Sequence, residues 1–397
     1  MKITSLTARR ILDSRGLWTV LATVTLRDGS SASASVPQGK STGSAEARAL
    51  PADRAVRNIN TVIAPRIIKK AFKKQADLDW FLDKLDGTAN KSRLGANAIL
   101  AVSIAALRAE AVSKNIPLWK HIRAVYGGGD NIIAQQQSVV HPRLFINVIN
   151  GGLHAGNNLD FQEYLIIPNC RTIKESVEVG TAIYHELGAV LVRAKGRGAA
   201  NLGDEGGFAP SFKNNLEPFA ILTDVARKLK LSKKVDFGMD AAATDIKKTG
   251  SKALRTTYEK LIKKYGLIYL EDPFGEEDFL SFSVLTMHFG KKVWITGDDL
   301  TTTNVRRMEL AHDEGSVNGV IIKPNQIGSV TEALDAVRAA RKYGWAVIAS
   351  HRSGETNDDF IADFAYGVRA DGLKLGAPAR GERIAKYNRL LEIESER

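Results

Sequence analysis

The sequence predicts an α+β domain followed by a (β/α) barrel. Three observations carry that prediction. First, between Val235 and Lys374 short apolar runs recur, and each ends on a polar residue: VDFGMD on Asp240, LIYLED on Glu271 and Asp272, VWITGDD on Asp298 and Asp299, NGVIIK on Lys323, WAVIASHRS on Ser350 to Ser353, and DGLK on Lys374. From Asp240 through Glu271, Asp298, Lys323 and Ser350 to Lys374 the gaps are 31, 27, 25, 27 and 24 residues. That period fits one buried strand plus one covering helix. Second, the segments between them, such as ALRTTYEKLIKKY and SVTEALDAVRAARKYG, carry apolar residues at helical spacing. Third, the N-terminal third has a different rhythm of alternating and Ala-rich stretches. Continuous apolar strands joined by helical crossovers form a parallel sheet covered on both faces, and strands that all end in charge point to a barrel with its chemistry at their C-terminal ends.

In chain order, TVLATVTLRDGSSASASV alternates around Asp28-Gly29, a hairpin signal. VPQGKSTGSAEA (36–47) follows, with Gly39 and Gly43 flanking Lys40, Ser41 and Thr42. It resembles a phosphate loop but lacks the full spacing; it reads as a turn whose glycines and hydroxyls would suit a lid. Pro51 limits the next helical stretch, and LGANAILAVSIAALRAEAVSK (94–114) reads as a buried helix. After Tyr126, GGGDN and QQQ read as a linker, with the boundary between about Gly127 and His141. The expected division is therefore 1–130 for the α+β cap and 138–397 for the barrel. Two loops open the barrel half: one holds His154, Gln162 and Glu163, the other Asp204 and Glu205 between glycines. Read alone, these are a structural histidine and turn-forming acids.

With 44% hydrophobic and 25% charged residues, the chain of 397 can bury a sizeable core. No uninterrupted apolar run is long enough to span a membrane, and the start lacks the apolar centre of a secretion signal. Cys170 is the one cysteine, so no internal disulfide is expected and a reducing cytoplasm is the simplest setting. The net charge of +12 raises the question of nucleic acid. The basic clusters 69–74, 228–234, 246–248 and 262–264 are expected mostly in helices on an outer face, without an aromatic platform. They read as a solvated surface that favours encounter with small anions, not as a nucleic-acid site.

Carboxylates converging from three successive strands would repel unless a hard cation joined them, and oxygen ligands with room for water suit Mg²⁺. The basic residues on the next strands would then face an anion. The alternative is that each charge merely solvates a strand end.

The whole chain from residue 12 onwards resembles the enolase family, the phosphopyruvate hydratases. The resemblance lies in LDSRG (12–16), STG with EA (41–47), LDGTANKSRLGANAIL (85–100), NGGLHAGN (150–157), GDEGGFAP (203–210), EDPF (271–274), GDDLTTTN (297–304), KPNQIGSVTEA (323–333), SHRSGET (350–356) and GAPARGERIAKYN (376–388), in the family's order. It implies an enolase-like (β/α)8 barrel with irregular first strands behind an α+β cap. It also implies reversible dehydration of 2-phosphoglycerate to phosphoenolpyruvate, with two Mg²⁺ ions per active site. Asp240, Glu271 and Asp298 match the ligands of the tighter Mg²⁺, and Ser41 a ligand of the second. Lys323 matches the general base and Glu205 the general acid, with Glu163 beside it. Lys374 matches the carboxylate-binding residue, Arg352 and Ser353 the phosphate contacts, and His154 and His351 the histidines near the leaving hydroxyl; Gln162 falls in the same substrate-binding segment. On this basis Lys323 must be neutral to act, a form that nearby Mg²⁺ and Lys374 would favour, and a neighbouring carboxylate such as Glu163 would raise the pKa of Glu205 so that it keeps its proton.

The chain departs from the pattern at Gln38 and Lys40, where the family usually has Ser and Ala, at Leu17-Trp18, and in shorter segments after the lid and between Asp240 and Glu271. Two alternatives follow from the altered lid and the charge: a relative acting on a phosphonate analogue, or a basic RNA- or surface-binding protein. The resemblance also implies a homodimer or higher homo-oligomer. An Arg9–Glu382 pair could cross the interface, whereas a second family pair would fall on Leu21 and Glu392 and cannot form.

Overall fold

The computed structural model describes residues 1–40, 43–127, 141–246 and 249–396. The N-terminal part is a three-stranded antiparallel meander, β1 (Ile3–Leu12), β2 (Trp18–Leu26) and β3 (Ser31–Ser35), in the order β1-β2-β3. The turn at Asp28-Gly29 closes β2 onto β3, with Gly29 at φ +88°, a left-handed conformation that suits glycine. The sheet packs on the helix Ala96–Ser113, whose sequence is apolar almost all round because it is enclosed almost all round. By length and composition this helix could cross a membrane; here it forms the centre of the cap.

The rest is a closed eight-stranded barrel: β4 (Arg143–Asn150), β5 (Glu163–Pro168), β6 (Val235–Asp240), β7 (Leu267–Glu271), β8 (Trp294–Gly297), β9 (Gly319–Ile322), β10 (Ala346–Ser350) and β11 (Gly372–Lys374). From β6 to β11, and from β11 to β4, every pairing is parallel. β5 is antiparallel to both β4 and β6. A loop without a long crossover helix joins β4 to β5, so the chain can only return beside itself in the opposite direction. Two long helices, Ile173–Lys195 and Glu217–Lys228, then lead to β6. The expected irregular start is this reversal. Inside the barrel Phe145, Leu165, Ile167, Tyr269, Ile321 and Ile348 form a dry plug below the mouth, with the Phe145 and Tyr269 rings edge to face at 4.7 Å.

The cap is tied to the barrel by buried polar contacts. Arg108 meets Asp358 through two bonds of 2.7 and 2.8 Å, and Asp79 accepts from the Thr331 amide and hydroxyl at 2.9 and 2.6 Å. The expected linker falls on residues 128–140, outside the described residues. One expectation is corrected. The basic residues 69–74 and 228–234 lie mainly in turns and at a helix end, because Lys69 and Lys230 take left-handed φ values that break a helix. Their lysines are exposed, as a solvated surface requires.

Candidate active site

The mouth of the barrel is built from strand ends. Asp240, Glu271, Ser350 and Lys374 are the last residues of β6, β7, β10 and β11, while Asp298 and Lys323 stand one residue beyond β8 and β9. β5 contributes differently. Because it runs the other way, its first residue, Glu163, sits at the mouth, paired with Asp240 on one side and Asn150 on the other. The loops after β4 and before Glu217 bring His154, Gln162 and Glu205. One cleft is lined by His154, Gln162, Glu163, Glu205, Asp240, Asp298, Lys323, His351, Arg352, Ser353 and Lys374. Glu271 lies beneath it, fully buried, and Ser41 lies outside the described residues.

Two lysines organise the charge. Lys374 Nζ lies 3.1 Å from Glu163, 3.3 Å from Asp240 and 2.6 Å from Glu271. Burial alone would lower its pKa, but these three carboxylates hold it well above the ordinary value. Lys323 donates to Asp298, which also accepts from Gln326 Nε2 at 2.8 Å. The expected neutral form of Lys323 depends on nearby Mg²⁺; with Asp298 alone beside it, its pKa is raised. Burial pushes its pKa down, as do Arg352 and Lys374, and the Asp298 carboxylate outweighs them.

The three expected acids lie at one mouth, and the charge of Asp298 reaches Glu271. Asp240 and Glu271 meet through Lys374, whereas Asp298 has Asp272 and Asp299 as its near carboxylates, with ligand oxygens within 4.8 Å of one another. Asp272 accepts the amides of Asp298 and Asp299 at 2.9 and 2.8 Å, and its own backbone is left-handed at φ +39°. Such strain persists only where surroundings over-determine it. Burial and then Asp240 push Glu271 up to about 8, and burial and then Asp298 push Asp299 up to about 7. Glu271 Oε1 is buried with no hydrogen-bond partner among the described residues. Hard oxygen donors, mutual repulsion and an orphaned buried oxygen together fit a small divalent cation.

Across the cleft lies a second group. His154 Nδ1 is 3.7 Å from Glu205 and 4.0 Å from Glu163, and Asn147 donates to Glu205 at 3.1 Å. His351 Nε2 is 3.3 Å from Glu205, while its Nδ1 accepts from Arg383 at 2.6 Å. A guanidinium can only donate, so Nδ1 is unprotonated and the ring hydrogen is on Nε2, facing Glu205. Burial, with the Arg383 charge, pushes His351 down to about 3. Gly376 lets the chain press against this group: a β-carbon there would meet the Glu205 carbonyl at 2.6 Å.

The two acids of this group shift in opposite directions. Burial, and then the charge of Glu205, raises Glu163 well above the carboxylate range. Burial would also raise Glu205, whereas its surroundings, the His351 ring with its Nε2 facing the carboxyl and the Arg383 charge among them, act to lower it.

Arg352 is gripped by Glu46 of the cap, with two contacts of 3.1 Å. Arg383, fully buried, donates to the carbonyls of Arg352 and Ser353 at 2.7 Å each, fixing the loop that presents them. The residues missed in the sequence are Glu46, Gln326, Asn147 and Arg383. Glu46 stands inside the STG-with-EA motif, and Arg383 inside GAPARGERIAKYN, but nothing in either motif shows what the side chain touches.

A family model described as the C-terminal TIM barrel domain of enolase matches residues 138–252 and 244–397, and one for the enolase N-terminal domain matches residues 3–122. "Enolase 2" of Hevea brasiliensis is 42% identical over 430 aligned positions, covering 99% of this chain and 95% of its own. "Enolase" of Methanocaldococcus jannaschii is 42% identical over 416 positions, covering 100% and 95%. Both alignments are longer than the chain's 397 residues, so they open gaps in it.

Proposed function

The chain belongs to the enolase family, and from that premise we propose how its cleft carries out the hydro-lyase reaction, the reversible conversion of 2-phosphoglycerate to phosphoenolpyruvate and water. The observation that carries the reading is the division of the cleft. A buried lysine, Lys323, stands on one side; the buried acids Glu163 and Glu205 stand on the other; Lys374 lies on the floor between them. The substrate's α-proton is a poor acid, because removing it puts a second negative charge on the adjacent carboxylate.

Lys374 binds that carboxylate, and Arg352 and Ser353 take the phosphate. Lys323 removes the α-proton, which requires its neutral form, so Asp298 must loosen its hold. Glu205 delivers the proton to the leaving hydroxyl. Glu205 must carry that proton, and the negative charge of the bound substrate raises its pKa toward the protonated form. His154 and His351, both held neutral by burial, border the leaving group without adding charge.

Mg²⁺ is the cation this reading requires, two per active site, with Asp240, Glu271 and Asp298 holding the first and Ser41 contributing to the second. When bound it stabilises the charge that builds on the substrate carboxylate. Residues 1–130 act as the cap and 138–397 as the catalytic unit. Assembly as a homodimer, with Arg9 of one copy near Glu382 of the other, belongs to the same proposal, as does a cytoplasmic setting. The comparisons favour neither the phosphonate relative nor the binding protein. The test is absorbance of phosphoenolpyruvate formed from 2-phosphoglycerate with and without Mg²⁺. Turnover should require the metal, and full activity in excess chelator would overturn the metal reading.

A further inference from the structure

Lys40 reaches from the cap to three different segments of the barrel mouth. Its backbone N–H donates to Ser353 Oγ at 2.8 Å. Its ammonium donates to the Leu153 carbonyl at 2.6 Å and to Asp204 Oδ2 at 3.0 Å. Each segment carries a candidate functional group at or beside the contact: Ser353 itself, His154 next to Leu153, and Glu205 next to Asp204. The approach is seated by its neighbours. Gln38 and Gly354 exchange backbone bonds of 2.8 and 3.0 Å, and Arg15 donates to the Gln38 carbonyl at 3.1 Å. A β-carbon at Gly354 would stand 2.6 Å from the Gln38 carbonyl oxygen, so the two backbones meet closely only because residue 354 is glycine.

We propose that Lys40 is a positioning residue, a clasp that fastens the cap loop to the two barrel loops carrying His154 and Glu205. A lysine suits the task. Its three rotatable donors can serve a carbonyl and a carboxylate on different loops at once. The side chain is 44% exposed and its Asp204 partner 26%. The clasp is therefore weak and screened by salt, and it can open for substrate to enter. While closed it orders the mouth in advance, so that less of the substrate's binding free energy is spent on ordering loops. The consequence for substrate binding rests on the function proposed above; the clasp itself does not.

The experiment compares the full-length wild type with Lys40→Ala, Lys40→Arg, Asp204→Asn and the double variant Lys40→Ala/Asp204→Asn. Without substrate, hydrogen exchange should quicken several-fold in Lys40→Ala across residues 36–40, 151–154 and 203–205 together, with Lys40→Arg restoring much of the protection. Faster exchange confined to 36–40 would overturn the clasp. In turnover, Lys40→Ala should raise KM about three- to tenfold with a smaller effect on kcat, the scale of a partly exposed charged hydrogen-bonded contact. The effect should shrink at high salt, where the wild type loses the same contact. Strict additivity of Lys40→Ala and Asp204→Asn in KM would overturn the pairing, since contacting residues couple. An inactive wild type would defeat the functional reading and leave the exchange measurement to decide the clasp.

Discussion

The two halves of the barrel solve the same problem in opposite ways. From β6 to β11 every strand points the same way, so the last residue of each, or the next one, arrives at the mouth. The groups presented there, Asp240, Glu271, Asp298, Lys323 and Lys374, need no special loop. From β4 to β6 the sheet reverses, and the mouth is furnished by the first residue of β5 and by two glycine-rich loops. The regular half supplies Lys323, the proposed base, and the oxygen donors; the irregular half supplies Glu163, Glu205 and His154. Repetition thus suffices for groups that bind charge.

The comparison breaks most sharply by removing one group from each half. Lys323→Ala and Glu205→Gln should each lower turnover by at least about 100-fold, the scale of general acid–base groups. Only Lys323→Ala should also abolish exchange of the substrate α-proton with deuterated solvent. Wild-type exchange in Lys323→Ala would remove it as the base and leave the division between halves without content.

A smaller loss is expected within the regular half. Asp298→Asn deletes one anionic oxygen donor and should raise the Mg²⁺ concentration for half-activation by about tenfold or more, with far-UV circular dichroism unchanged. An unchanged Mg²⁺ requirement would remove Asp298 from the ligand set.

Across the seam between the halves, Arg383 holds His351. Arg383→Met removes a charge that depresses the imidazole, so its pKa should rise above about 3. The measurement is the imidazole NMR signal against pH. Arg383→Lys, which keeps the charge, should recover part of the depression, and equal shifts in the two variants would show that the charge is immaterial.

Glu271 gives a pH dependence with a definite sign. Its folded pKa of about 8 lies above the ordinary 4.5, so between these values the folded protein binds more protons than the unfolded chain. Its contribution to stability is full below about 4.5 and is lost as pH rises through about 8. In excess chelator, Tm should fall over that window, and Mg²⁺ should flatten the fall. Calorimetry near pH 7 in buffers of different ionisation enthalpy should show proton release on Mg²⁺ binding.

The smallest effect concerns assembly. Arg9→Ala should weaken the homodimer modestly and make the remainder less salt-sensitive, because an exposed pair contributes about 0–1 kcal/mol. Sedimentation at micromolar concentration reads this, and a fully active wild-type monomer would end the dimer proposal.

Much of the regular half is legible in the amino-acid order. The runs ending on Asp240, Glu271, Asp298, Lys323, Ser350 and Lys374 are local patterns, and a strand's end is where its apolar run stops. Glu163 cannot be found that way, because a reversed strand presents its beginning, and periodicity carries no direction. It comes from the family resemblance, as do His154 and Glu205. Arg383 and Glu46 are hidden for another reason. Their roles depend on partners 32 and 306 residues distant, His351 and Arg352.

The succession of strands and helices, the α+β cap, the residues at each strand end and the family all belong to the sequence alone, because they follow from local spacing and from motifs in a given order. Which charges meet belongs to the folded chain. Lys374 gathers carboxylates from three strands, Asp298 sides with Lys323 and Asp272, and Glu205 stands between His154 and His351. Closure of the barrel sets those distances, and burial sets the pKa values. Both are sums over neighbours far apart in the chain, which no local stretch of sequence contains.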